Sequence, residues 1–306
     1  MNPKSLEARC RDEDPFRGMA IDKLDSLYLI KGRTACPVCG KSRMYFCYTC
    51  YVPVSEIKDK IPQCKLPVKV DIIKHSREID GKSTAAHAAV LAPYDVKIYT
   101  YPHIPEYSFD GLTVLVYPGA EAIPVTQIFD NEASKSTYIE QMLAELPSGY
   151  NVGTLMTKNV SSNHAPDNQK IHHVCKLPIT KVVLIDSTWN QSRGIFANEM
   201  LQKLPKVVLQ NRPSEFWRHQ KGSPRWYLST IEALHQLLLE LHSSAWGYHP
   251  AYLPGQELPR HTAQHSQCEP YNGQYDNLLY FFKHMYQKIH TLYKHEHMLA
   301  YKRPMS

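Results

Sequence analysis

Val182-Val183-Leu184-Ile185-Asp186-Ser187-Thr188-Trp189 runs from four apolar residues, three of them β-branched, straight into a turn of small hydroxylated ones. An unbroken apolar run of this length has the form of a strand buried on both faces, and an Asp-Ser-Thr turn is an ordinary start for a helix. Working outward, the same form recurs at 112–117 and 207–209, and 68–73 and 96–101 also read as strands. Helical patterns separate and follow these runs. Residues 83–91 are alanine-rich, 137–146 and 192–203 have fair helical periodicity, and 232–241 puts Ala233, Leu234, Leu237, Leu238 and Leu241 on one face. Ser229 followed by Glu232 is the capping-box signature that starts this last helix. A final helix near 275–293 repeats the spacing with Leu278, Phe282, Met285, Ile289 and Leu292. Strands alternating with helices predict an α/β domain on a mostly parallel sheet.

The chain has 306 residues, 43% of them apolar, enough for one sizeable domain with a small appendage. Its composition divides it into a charged lead-in at 1–31 with one weakly helical stretch, a cysteine module at 32–66, the α/β domain at 67–293 and a basic tail at 294–306. Residues 157–173 are polar and aperiodic and read as an exposed insertion, with His172 and His173 in solvent. No apolar run exceeds five residues, against the roughly 20 that a membrane span needs, and the first residues are too charged for a secretory signal. The expectation is a soluble, intracellular protein with no membrane partner. The 13 glycines form no G-x-G-x-x-G. Gly81-Lys82-Ser83-Thr84 ends like a P-loop, but Ser76 stands where the first glycine of such a loop belongs, so enzymes that cradle phosphates on glycine nests are excluded.

Cys36-Pro37-Val38-Cys39-Gly40 and Cys47-Tyr48-Thr49-Cys50 place two thiolate pairs on tight turns. Facing one another, they make a tetrahedral four-sulfur site that fits zinc; disulfides and an iron–sulfur cluster are the alternatives, the first disfavoured inside a cell. Four cysteine ligands leave no open position, so the metal is structural. The spacer between the pairs is expected to form a hairpin carrying Lys41, Arg43, Tyr45 and Phe46. Cys10, Cys64, Cys175 and Cys268 lack such spacing and read as ordinary thiols.

The formal charge of +6 says less than its local concentration. Lys203, Lys206, Arg212, Arg218, Lys221 and Arg225 face a single acid, Glu215, with Phe216, Trp217, Trp226 and Tyr227 interleaved. Cations beside flat rings suit single-stranded or looped nucleic acid; a solvated loop with a few buried aromatics is the other reading.

Tyr117-Pro118-Gly119, then Val183 to Gln191 with its Asp186-Ser187-Thr188-Trp189, then Arg225 to Ala233, taken in that order, resemble the DTW-domain family, named for its D-x-T-W motif and grouped with the SPOUT-like RNA-modifying enzymes. Phe216 to Gly222 and Gly273 to Leu279 are similar to its eukaryotic branch, and the likeness runs from Cys36 to about 293. The resemblance implies a SPOUT-like trefoil knot in the sheet, an exception to the rarity of knots. It also implies a tRNA-uridine aminocarboxypropyltransferase, with the nucleus favoured as its compartment and the cytoplasm as the alternative. Such an enzyme moves the 3-amino-3-carboxypropyl group of S-adenosylmethionine to N3 of a tRNA uridine, in the D-loop, giving acp3U and 5′-methylthioadenosine. That donor carries no phosphate, in keeping with the missing phosphate loop. An RNA methyltransferase on the same scaffold and a non-catalytic, zinc-dependent RNA-binding protein are the alternatives.

Carried onto this chain, the resemblance assigns Tyr117, Pro118, Gly119, Asp186, Ser187, Thr188, Leu228, Ser229, Thr230 and Glu232 to the cofactor, and Asp186, Thr188 and Trp189 to catalysis. A sulfonium is already electrophilic, so positioning and removal of the N3 proton are what remain. Asp186 is the candidate to take that proton, provided desolvation beside Trp189 raises a carboxyl that ordinarily titrates at about 4. Capping the following helix is the rival role for Asp186. Contacts to tRNA fall to His75, Glu78, Lys82, Arg193, Arg212, Arg218, His219, Lys221 and Arg225, with the aminocarboxypropyl group as the alternative partner of His75 and Glu78. Many relatives have proline where Ser76 stands, which bears on the local turn.

Overall fold

A computed structural model describes residues 14–130, 171, 172, 174, 176–220, 222–250, 252, 269–294 and 297–303. The expected helix at 137–146, most of the 157–173 insertion with His173, and Lys221, Cys10, Cys175 and Cys268 lie outside the described residues.

Two antiparallel hairpins come first, β1 (Thr34–Ala35) with β2 (Ser42–Arg43) and β3 (Phe46–Cys47) with β4 (Val52–Pro53). The spacer 40–46 is thus not itself the hairpin that its sequence predicted. Each C-x-x-C pair sits at or beside the turn of a hairpin of its own, and the spacer links the two. Gly40 (φ 68°) closes the first turn and Tyr51 (φ 57°) the second, both in the left-handed region that tight turns need.

Six strands then form one sheet: β5 (Lys69–Lys74), β6 (Val96–Thr100), β7 (Thr113–Val116), β8 (Ile123–Pro124), β9 (Lys181–Asp186) and β10 (Lys206–Val208). Their spatial order is β6-β5-β9-β7-β10-β8, and every neighbouring pair is parallel. The neighbouring strands β5 and β9 follow the period of two expected of a pleated ribbon. Val70, Ile72, Val182 and Leu184 enter one core with Leu234, Leu237 and Phe281, while Ile73 and Val183 enter a second with Leu115, Ile195 and Leu201. Burial on both faces is why β9 reads as an unbroken apolar run. β8, at the edge, is only two residues long, and Pro124 is tolerated there because an edge position demands no ladder donor.

The helices are α1 (Asp25–Tyr28), α2 (Ala85–Leu91), α3 (Trp189–Phe196), α4 (Glu199–Gln202), α5 (Thr230–Trp246) and α6 (Tyr280–Leu292). The helix expected at 192–203 is broken in two because the side chain of Asn198 caps a new helix at Met200 N, 3.0 Å away. The helix expected at 275–293 begins with a tighter turn over Asp276–Leu279. Among the described residues no helix is long and apolar enough to cross a membrane.

Both ends are more firmly docked than their composition predicts. Phe16, Ile21, Leu24 and Leu27 of the lead-in are buried in the first core, and Ala20 N donates to Asp276 Oδ2 at 2.7 Å. Gly273 (φ 98°) permits this approach, since a Cβ there would collide with Ala20 and the Asp276 carboxylate. In the basic tail, Tyr301 donates to Glu215 O at 3.1 Å and Arg303 to Pro224 O at 3.1 Å. His172, expected in solvent, is half-buried and stacks on Phe129 at 5.0 Å between ring centroids.

Candidate active site

The carboxyl ends of parallel strands are where an α/β sheet opens a crevice, and Asp186 is the last residue of β9. It lies in register with Lys74, the last residue of β5. Asp186 Oδ2 accepts a hydrogen bond from Ser83 Oγ at 2.7 Å and Oδ1 one from Thr230 Oγ1 at 2.5 Å, while its carbonyl accepts from His75 N at 3.0 Å. Thr84 Oγ1 in turn accepts from Ile231 N at 3.1 Å. The segment after β5, the end of β9 and the start of α5 therefore converge on one carboxylate that is only 4% exposed. Burial pushes the Asp186 carboxyl above the usual range, against the pull of Thr230, Ser83 and Lys74. The rival capping role belongs to another residue. Thr188 caps α3 in a capping box with Gln191, whose Oε1 accepts from Thr188 N at 3.2 Å.

Trp189 opens α3 and is half-buried, its ring 4.1 Å from that of Tyr227 and 6.5 Å from that of Tyr117, which stacks on Phe196 at 4.2 Å. These rings flank the end of β7, where Pro118 and Gly119 are exposed. Ser187 is half-buried and its hydroxyl donates to Thr188 O at 3.1 Å; Leu228 is half-buried. Ser229 and Glu232, assigned to the cofactor from sequence, are turned inward. Glu232 Oε2 accepts from Ser229 N, Ser229 Oγ and Ser214 Oγ at 2.7–2.8 Å, and Oε1 from Glu215 N at 2.7 Å. That carboxylate is spent on tying segment 214–215 to α5.

The residues assigned to RNA divide. Glu78 is half-buried, and burial followed by the charge of Asp186 pushes its carboxyl up. Arg218 is held below its usual value by burial, with Glu78 opposing. His75 is half-buried beside them, and Lys82 and Arg193 are exposed. His219 Nδ1 lies 3.2 Å from Leu299 O. Arg225 pairs with Glu215 at 3.4 Å, and Arg212 donates to Glu232 O at 3.2 Å. Those two arginines hold the loop together from inside. Residues that the sequence reading left unassigned are Lys74, Asp80 and Tyr51. A strand-terminal lysine, a turn aspartate and a knuckle tyrosine carry no motif, and only the fold brings them together.

The DTW domain model matches residues 44–290. This chain belongs to the DTW domain family. It is 41% identical over 266 residues to the tRNA-uridine aminocarboxypropyltransferase 1 of Xenopus laevis, covering 86% of this chain and 82% of that one. The proteins of the same name from Homo sapiens and Mus musculus are 40% and 39% identical over 286 and 283 residues, each covering 90% of this chain and 84% of theirs. No solved structure matches the chain significantly.

This DTW domain protein carries a second centre just before and within the start of the family match. The Sγ atoms of Cys36, Cys39, Cys47 and Cys50 lie within 4.8 Å of one another. The Cys39–Cys47 separation is 3.7 Å, close to the edge of about 3.8 Å of a tetrahedron with metal–sulfur bonds of about 2.3 Å. Val38 N donates to Cys36 Sγ and Cys50 N to Cys47 Sγ, both at 3.4 Å, and the buried Arg43 Nε donates to Cys47 Sγ at 3.3 Å. Burial would raise the Cys47 thiol, but the N–H groups of Cys50 and Thr49 and the Arg43 guanidinium hold it down at about 6. The donor set fits a structural metal ion with four thiolate ligands. Cys64 has no such company; it is buried and pushed up to about 12, an inert core thiol.

Proposed function

We propose that the chain is a tRNA-uridine aminocarboxypropyltransferase that uses S-adenosylmethionine and modifies N3 of a D-loop uridine, with 67–293 as its catalytic domain and zinc in the 32–66 module. The observation that carries this reading is an identity of about 40% to relatives of that name over most of both chains. The convergence of three segments on Asp186 supports it. So does the inserted position of β9 between β5 and β7 and of β10 between β7 and β8, which suits loops threaded as a trefoil knot.

In this mechanism the donor supplies a carbon activated by its sulfonium: the bond from that carbon to N3 forms as the carbon–sulfur bond breaks, and the electron pair leaves on sulfur. The protein's own task is the N3 proton. Asp186 accepts it through the hydroxyl of Thr230, which takes the proton from N3 while passing its own to Oδ1. A desolvated carboxylate is a stronger base than one in water, which is the condition the buried site meets. Trp189, Tyr227 and Tyr117 offer flat faces for the adenosine or the target base, and Glu78 and Arg218 rim the entrance for RNA.

Incubating the protein with unmodified tRNA and S-adenosylmethionine, then analysing both products by mass spectrometry, tests the reading. It predicts 5′-methylthioadenosine and an aminocarboxypropyl-uridine. S-adenosylhomocysteine would make the chain a methyltransferase, and unchanged tRNA would leave it without transfer chemistry.

A further inference from the structure

We propose that Lys74 and Asp80 form the subsite for the amino-acid end of the transferred group, Lys74 binding its carboxylate and Asp80 its ammonium. This deepens the function proposed above and rests on it. Lys74 ends β5 immediately beside Asp186, and its Nζ is bonded to Asp80 Oδ1. The two side chains are 11% and 34% exposed, so the pair is reachable from solvent mainly through the aspartate. With Tyr51 and Ser83 they line a cleft too tight to hold a water molecule while the pair is closed, so a ligand enters it as the Lys74–Asp80 bond opens. Ser83 is the same residue that donates to Asp186, so the cleft adjoins the base.

An unpaired ammonium or carboxylate at this depth would be costly, so the empty site satisfies the two charges with each other. A zwitterion re-pairs them one to one: its carboxylate takes the lysine, its ammonium takes the aspartate, and the site's net charge is unchanged. Few other small groups present both signs on one carbon. In the 3-amino-3-carboxypropyl group that carbon lies two bonds from the one attacked, so a subsite next to Asp186 sets the reacting carbon near the proton acceptor. Burial would lower the Lys74 ammonium, but Asp80, Tyr51 and Asp186 keep it charged, as carboxylate binding requires.

Calorimetric titration of the full-length protein with S-adenosylmethionine and, separately, with 5′-methylthioadenosine tests the assignment, because the second ligand keeps the adenosine and lacks the amino-acid end. Lys74→Met and Asp80→Asn are each expected to weaken S-adenosylmethionine binding about 10- to 100-fold, the worth of a charge-assisted hydrogen bond, and to leave methylthioadenosine within about two-fold. Retained methylthioadenosine binding certifies the fold of each variant; should Lys74→Met fail to fold, Asp80→Asn decides. Unchanged affinity for S-adenosylmethionine, or equal loss for both ligands in a folded variant, overturns the subsite. Wild-type protein separates the two readings: if it makes methylthioadenosine from tRNA and donor while the variants bind like wild type, only the subsite falls, and if wild type binds no donor, both fall.

Discussion

Asp186, the proton acceptor of the proposed mechanism, owes its setting to two distant hydroxyls, those of Ser83 and Thr230. The D-x-T-W motif pointed to this residue, and Thr188 as the helix cap removes its rival role. Its partners were not legible: Ser83 is 103 positions away and Thr230 is 44, and no local pattern encodes such pairings. The two hydroxyls stabilise the carboxylate, while burial disfavours it more. A base must be deprotonated, so kcat/KM falls as pH drops through the raised pKa, and the acid limb lies on the alkaline side of an ordinary aspartate at about 4. Ser83→Ala removes one donor to the charged form and should move that limb further alkaline. A pH–rate series on both proteins checks it; an unmoved limb, or one shifted toward acid, would take the proton away from Asp186. Lys221 and the other basic residues of 203–225 read from sequence as one surface, but charge pattern alone does not show which arginines point inward.

At the scale of elements, the start of α5 was foreseen at the residue level. Ser229 and Glu232 form the capping box their spacing predicted, and the helix begins at Thr230. What spacing could not reveal is that the Glu232 carboxylate also binds Ser214 Oγ and Glu215 N, anchoring the loop that carries Arg218. Glu232→Ala strands four buried or half-buried donors. Each unmet donor costs about 1–3 kcal/mol, partly recovered by water, so a loss of about 3 kcal/mol is expected in urea denaturation. A loss below about 1 kcal/mol would show that the loop is held by other means. The C-terminal residues 299–303 brace the same loop from outside, through Tyr301 and Arg303, although their basic composition reads as a free tail.

Across the whole molecule, the cysteine module and the sheet meet at the second knuckle. The ring of Tyr48 packs against Gly81, in the segment that leads to Ser83, and the Arg43 guanidinium stacks over that ring at 3.9 Å while bonding Cys47. Four strands of two residues each cannot hold themselves, so a metal ion bound by the four thiols would be their staple. Removing it with a chelator should first expose the amides of 34–53 to hydrogen exchange and then those of 79–84; protection unchanged in metal-free protein would show that the thiols alone suffice. The amino-acid sequence by itself determined the strand and helix alternation, the four-cysteine site and the candidate base, because these are written in local period, spacing and residue type. Only the tertiary structure decided the strand order, the inward turn of Arg212, Arg225 and Glu232, and the meeting of Lys74, Asp80, Ser83 and Asp186. Those depend on which faces exclude water together, and hydrophobic burial, being non-directional, names the residues that go inside without naming their neighbours.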